Sequence, residues 1–302
     1  MQISLHIGPH KTGTTSIQTF LLDRYGGSGP RSIWYPAPTD RGPGHSRLAL
    51  DHIRGGRLLE NLVAVADAAG VRHLILSSED FSFADAGALN RLCFLSKHDV
   101  RLLVTINSPQ YRIPSLWQEM VKHGSTKSLA EAIDQIFGMP GMRPDFVSSF
   151  ASGLNPKEVA IIHVSRSEPR SALIENFCLS IELIDNNYRQ KEMNESFGYL
   201  EVELIRKLNL TMSELKLGND TKRSIRALYS SNMRSNEWRK IVNKIGIHID
   251  DDYIERAERL SELIYSDIES VTKMFETRVL GERGALFEGG QHKKHQALAG
   301  ES

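Results

Sequence analysis

The residues with most chemical content stand in one run near the start of the chain, His10-Lys-Thr-Gly-Thr-Thr-Ser16. Lys11 supplies a full positive charge, and Thr12, Thr14, Thr15 and Ser16 supply hydroxyl donors. Gly13 lets the backbone come close to a ligand. Residue types of this kind, at the start of a helix, make an anion cradle. The first helical N–H groups have no partner within the helix and carry a partial positive charge. The nucleotide-triphosphate loop of the Gly-Lys-Ser/Thr kind places lysine directly after its second glycine. Here Lys11 precedes Gly13 by two residues, which disfavours an ATP or GTP site of that kind. A threonine-rich N-cap without a ligand is the plain alternative, but so many anion-binding groups exceed what capping requires.

A second chemical cluster is Ser77-Ser78-Glu79-Asp80. It follows the apolar run Val71–Leu76. Glu79 or Asp80 there could take a proton from an attacking hydroxyl. The alternative is a helix start, with Ser78 as cap and the acids favouring the dipole. His45 closes the polar turn Asp40–His45 and is either a capping or surface histidine or a residue at an acceptor cleft.

The elements that must hold these groups are legible from periodicity. Ile3, Leu5 and Ile7 alternate with polar residues, which predicts a strand. Gly8-Pro9 breaks it, and Ile17, Phe20, Leu21 and Leu22 predict a helix. Further strands are expected over 32–35, 71–76, 100–106 and 158–164. Helices are expected over 58–69, 86–95, 113–123, 126–137 and 173–183, and the pattern is helical throughout from Phe197. Strands alternating with helices predict an α/β fold, a parallel sheet with helices on both faces and a helical C-terminal part. Polar residues just beyond strand ends lie where such sheets hold ligands. We expect one domain over 1–285 and a disordered tail over 286–302.

The string His10-Lys-Thr-Gly-Thr-Thr-Ser-Ile-Gln18 resembles the phosphosulfate-binding loop of sulfotransferases that use 3′-phosphoadenylyl sulfate (PAPS), most closely the bacterial, carbohydrate-type branch. The resemblance implies a P-loop-like fold and no metal. It implies that Lys11 binds the bridging oxygen and the transferring sulfuryl group, and that Gly13, Thr14, Thr15 and Ser16, with His10 and Thr12 beside them, hold the 5′-phosphate. It also implies a glutamate base at Glu79 and a carbohydrate or other hydroxyl-bearing acceptor. In that family an arginine at a strand end and a serine eight residues later bind the 3′-phosphate. Ser115 fits the serine, whereas Asn107 stands where arginine is expected. Arg112 is either a replacement cation or a solvated one. The late Arg-Lys-Gly-x-x-Gly segment of related enzymes is absent. A phosphotransferase with an altered loop and an inactive nucleotide-binding relative are the other readings.

With 37 basic and 37 acidic residues, the composition gives no general attraction to nucleic acid or anionic membranes. Hydrophobic residues make up 40% of the chain, enough for a sizeable core. The two cysteines, Cys93 and Cys178, lie in apolar surroundings and are expected to be buried free thiols. No signal peptide or membrane span is read from the sequence, so a cytoplasmic location is expected. Lys127 and Arg143 are read as surface charges, with contact to an anionic acceptor as the alternative.

Overall fold

In the computed structural model, the described residues are 1–39, 42–165, 169–183, 199–233 and 252–281. Parts of the stretch expected to be helical from Phe197, 238–245 among them, and the tail expected over 286–302 lie outside them. The elements run β1 (Gln2–Ile7), α1 (Thr14–Tyr25), β2 (Gly26–Gly27), β3 (Ile33–Pro36), α2 (Ser46–Ile53), α3 (Leu58–Ala68) and β4 (His73–Ser77). A 3-10 turn (Glu79–Phe83), α4 (Ala86–Arg91), β5 (Asp99–Asn107), α5 (Pro109–Lys122), α6 (Leu129–Phe137) and α7 (Phe146–Leu154) follow. The described chain continues with β6 (Glu158–Val164), α8 (Arg170–Ser180), α9 (Tyr199–Glu214), α10 (Asn219–Met233), α11 (Asp252–Met274) and β7 (Glu276–Leu280).

The seven strands among the described residues form one sheet in the order β2-β3-β4-β1-β5-β6-β7, every pair parallel. The five expected strands are present. The two additions are the edges, and β7 corrects the expectation that everything after Phe197 is helical. Its Glu-Thr-Arg-Val-Leu run is short, and pairing with β6 gives it a strand's hydrogen bonds.

The sheet has a core on each face. Ile3, Leu5 and Ile7 of β1, with Leu76, Val104 and Ile161, face α5, α7 and α11. Ile17, Phe20 and Leu21 of α1 and Ile174 and Phe177 of α8 cover the other face over Ile75, Leu103 and Ile162. The polar partners in the β1 alternation, Ser4 and His6, are therefore buried too, both at 0% exposure. A central parallel strand has no solvent face, so each needs an internal partner. Ser4 Oγ lies 2.8 Å from His73 Nε2, and His6 Nδ1 lies 2.7 Å from Ser77 Oγ on the paired strand. Cys178 is buried as expected, whereas Cys93, on the turn after α4, is exposed.

Because β1 lies between β4 and β5, the segments following all three strands converge at one edge of the sheet. Those segments carry Lys11 and Gly13, Ser78 and Glu79, and Asn107 and Ser108.

Candidate active site

The loop from Gly8 to Gly13 joins β1 to α1. Lys11 (φ 70°) and Gly13 (φ 79°) are both left-handed, and Thr12 between them is not. Such alternation turns successive N–H groups toward one concavity, a nest suited to an anion. The left-handed conformation is unusual for lysine, because its Cβ crowds the carbonyl. Among the described residues, none accepts from the N–H groups of His10, Lys11, Thr12 or Gly13. Helix α1 starts with Gly13 at the cap position and no side-chain cap, which leaves its first N–H groups open as well. An added Cβ on Gly8 would lie 2.0 Å from Thr105 Oγ1, so the loop can pass over β5 only as glycine there.

The side chains divide into those facing outward and those turned inward. Thr15 is exposed and Ser16 half-buried, while Thr14 is 4% exposed. Thr12, expected among the anion contacts, is fully buried. Its hydroxyl donates to Pro9 O at 2.7 Å and lies 2.9 Å from Thr105 Oγ1, so only its N–H remains for a ligand. Lys11 Nζ donates to Glu119 Oε2 on α5 at 2.8 Å. Glu119 lies also beside Lys122 and His123, and despite burial its pKa stays below the usual carboxylate value through Lys11 and these neighbours.

Glu79 lies against the loop. Its Oε2 accepts from Gln18 Nε2 of α1 at 3.0 Å, and its Oε1 is 3.7 Å from His10 Nδ1. Ser78 Oγ accepts from Asp80 N at 3.1 Å. The capping role thus falls to Ser78, and the Glu79 carboxylate is left to face α1 and the loop.

His45 does not reach outward. Its Nδ1 accepts from Ser77 N at 3.0 Å, which makes Nε2 the protonated nitrogen, donating to Pro36 O at 2.8 Å. It is 3% exposed, with its ring 4.4 Å from that of Tyr35. It ties the ends of β3 and β4 together, and neither nitrogen is offered to an acceptor molecule. Lys127 reaches Gln135, and Arg143 is paired with Asp145.

Asn107, at the end of β5, donates from Nδ2 to Lys11 O at 3.2 Å, and its buried Oδ1 has no hydrogen-bond partner. The buried Ser108 Oγ beside it is likewise unpaired. Orphaned polar atoms at such an edge fit a place that a polar ligand completes. Ser115 is half-buried and donates to Tyr111 O of its own helix. Arg112 is not solvated. It is 3% exposed, with Nε on His10 O at 3.3 Å and Nη2 on Gly141 O at 3.0 Å. Burial pushes its pKa down to about 10, so it remains a cation at neutral pH.

Sequence reasoning missed His6, Gln18, Thr105 and Glu119. The signal for His6 and Thr105 was available, since polar residues inside runs that read as central parallel strands must find internal partners. Nothing local marked Glu119, whose relation to Lys11 spans 108 positions.

No family model and no curated protein matches this chain. Among solved structures, the chain is similar to the crystal structure of a sulfotransferase from Alicyclobacillus acidocaldarius, at 15% identity and a TM-score of 0.44, with 73% of this chain and 98% of that chain covered.

Proposed function

We propose that the protein transfers the sulfuryl group of PAPS to a hydroxyl of a carbohydrate or other small acceptor. The observation that carries this reading is the Glu79 carboxylate lying against an anion-binding loop. A base beside a phosphate cradle is what transfer to a hydroxyl requires. The acceptor oxygen attacks sulfur in line as its proton passes to Glu79. The bond from sulfur to the bridging oxygen breaks, and adenosine 3′,5′-bisphosphate leaves. Lys11 and the loop N–H groups stabilise the charge that collects on the bridging oxygen. Thr14, Thr15 and Ser16 hold the 5′-phosphate, and Ser115 is the candidate contact for the 3′-phosphate. His10, on the loop, lies 3.7 Å from the Glu79 carboxylate and orients it.

Calorimetric titration with adenosine 3′,5′-bisphosphate, adenosine 5′-phosphate and ATP tests the donor. A preference for the bisphosphate is expected, and equal affinity for all three would rule PAPS out. Replacing Glu79 with Gln tests the base. Bisphosphate affinity should stay within about twofold while transfer to an acceptor falls by about 10²–10⁴. Turnover that survives the substitution would remove Glu79 from the chemistry.

A further inference from the structure

A loop that offers its N–H groups to an anion must send its carbonyl oxygens elsewhere, because each peptide unit carries both. In this loop three consecutive carbonyls have their own side-chain donors. Pro9 O accepts from Thr12 Oγ1 at 2.7 Å, His10 O from Arg112 Nε at 3.3 Å, and Lys11 O from Asn107 Nδ2 at 3.2 Å. Two of these donors belong to the β5–α5 unit, and the third is set by it. The Thr12 hydroxyl has spent its one hydrogen on Pro9 O, so at the 2.9 Å contact it must accept from Thr105 Oγ1. Thr105 in turn must accept from His6 Nε2, 3.3 Å away. His6 is fully buried and neutral, its pKa pushed down to about 3 by burial, so its Nδ1 accepts from Ser77 Oγ at 2.7 Å. Donation therefore runs one way: Ser77, His6, Thr105, Thr12, Pro9 O.

We propose that Thr105, Asn107 and Arg112 are positioning residues which hold the carbonyls of Pro9, His10 and Lys11 out of the anion cradle, so that β5 and α5 impose the polarity of the β1–α1 loop. This rests on reading that loop as the phosphosulfate site. It gives Asn107 and Arg112 a task behind the loop rather than on the 3′-phosphate. Arg112 suits it, since among the described residues no carboxylate lies within ion-pair distance of its guanidinium. Its charge adds to the potential of the cradle. The left-handed turn at Lys11 is the conformation that Asn107 holds from the carbonyl side.

The test is titration of Thr105→Val, Asn107→Leu and Arg112→Met with inorganic pyrophosphate, adenosine 5′-phosphate and adenosine 3′,5′-bisphosphate, with thermal melts on each protein. All three ligands should weaken by a common factor, about tenfold per variant. Thr105→Ser should restore binding, because it keeps the hydroxyl. Unchanged pyrophosphate affinity in folded variants overturns the proposal. So does a loss confined to the bisphosphate, which would put Asn107 and Arg112 on the 3′-phosphate. If a variant fails to fold, nitrogen chemical shifts of His6 in the native protein read the chain directly. The Nε2–H tautomer is expected, and the Nδ1–H tautomer overturns the chain. A native protein that binds pyrophosphate without preferring the bisphosphate removes PAPS and leaves the positioning intact. One that binds no pyrophosphate overturns both.

Discussion

Lys11 is held by Glu119 through a contact of 2.8 Å between two partly exposed side chains. An incoming phosphate must compete with that carboxylate for the ammonium group. An exposed pair of this sort is worth little by itself, about 0–1 kcal/mol, so the exchange is easily reversed. Glu119→Gln removes the competitor and keeps the shape. Pyrophosphate should then bind about threefold more tightly, a gain of about the size of one exposed pair, and calorimetry at low salt would detect it. Weaker binding instead would mean that Glu119 holds Lys11 in its working position. Gly13 admits no such adjustment. Its φ of 79° excludes a side chain without strain, and an added Cβ would come 2.5 Å from Leu173 Cδ2 of α8.

Among the elements, β7 shows how a five-residue edge strand is retained. Glu158 of β6 is 4% exposed and meets Arg101 Nε of β5 at 3.1 Å and Arg278 Nε of β7 at 2.5 Å. Glu182, beyond α8, contacts the same two arginines. The group links three adjacent strands at the edge opposite the loop. Removing the buried member takes from Arg101, itself largely buried, its buried partner and leaves only the exposed Glu182, whereas removing an exposed member leaves water to substitute. Glu158→Ala should cost about 3 kcal/mol and Arg278→Ala about 1 kcal/mol or less, measured by urea unfolding. Equal costs would show that the burial of Glu158 does not decide which member of the group matters. Helix α6 gives a purely local contrast. Ser128 and Glu131 form a reciprocal capping box, a signal confined to four consecutive residues.

The whole molecule buries histidines that must stay neutral. Burial lowers the pKa of His6 to about 3 and that of His73 to about 4, and it lowers that of His52. In the unfolded chain each returns to about 6.5. Between those values the unfolded state binds more protons, so stability is full above pH 6.5 and falls as pH decreases toward 4. At pH 5 His6 and His73 together should take up about two protons on unfolding. Urea midpoints measured from pH 7.5 to pH 4.5 should fall accordingly. A flat profile over that range would show that these rings are protonated in the folded protein. The carboxylates whose pKa values lie below normal, Glu119 and Glu182 among them, add to the loss at lower pH.

The sequence by itself determined the α/β alternation, the five inner strands and the position of the loop. Each is a local matter of apolar period and of glycine and proline at the breaks. It also marked Lys11, Gly13 and Glu79, because short-range spacing alone places them just beyond strand ends. It could not show that the Thr12 hydroxyl turns inward, that Arg112 is buried behind the loop, or that His45 is locked between two carbonyl-edge strands. Nor did it show that 276–280 returns to the sheet. These depend on which strands are neighbours. Sheet order places β4 and β5 on either side of β1, and that lateral choice brings residues about 70 to 100 positions apart within hydrogen-bond distance of one another. Only the tertiary structure decides which polar groups beneath the loop are satisfied by each other and which are left for a ligand.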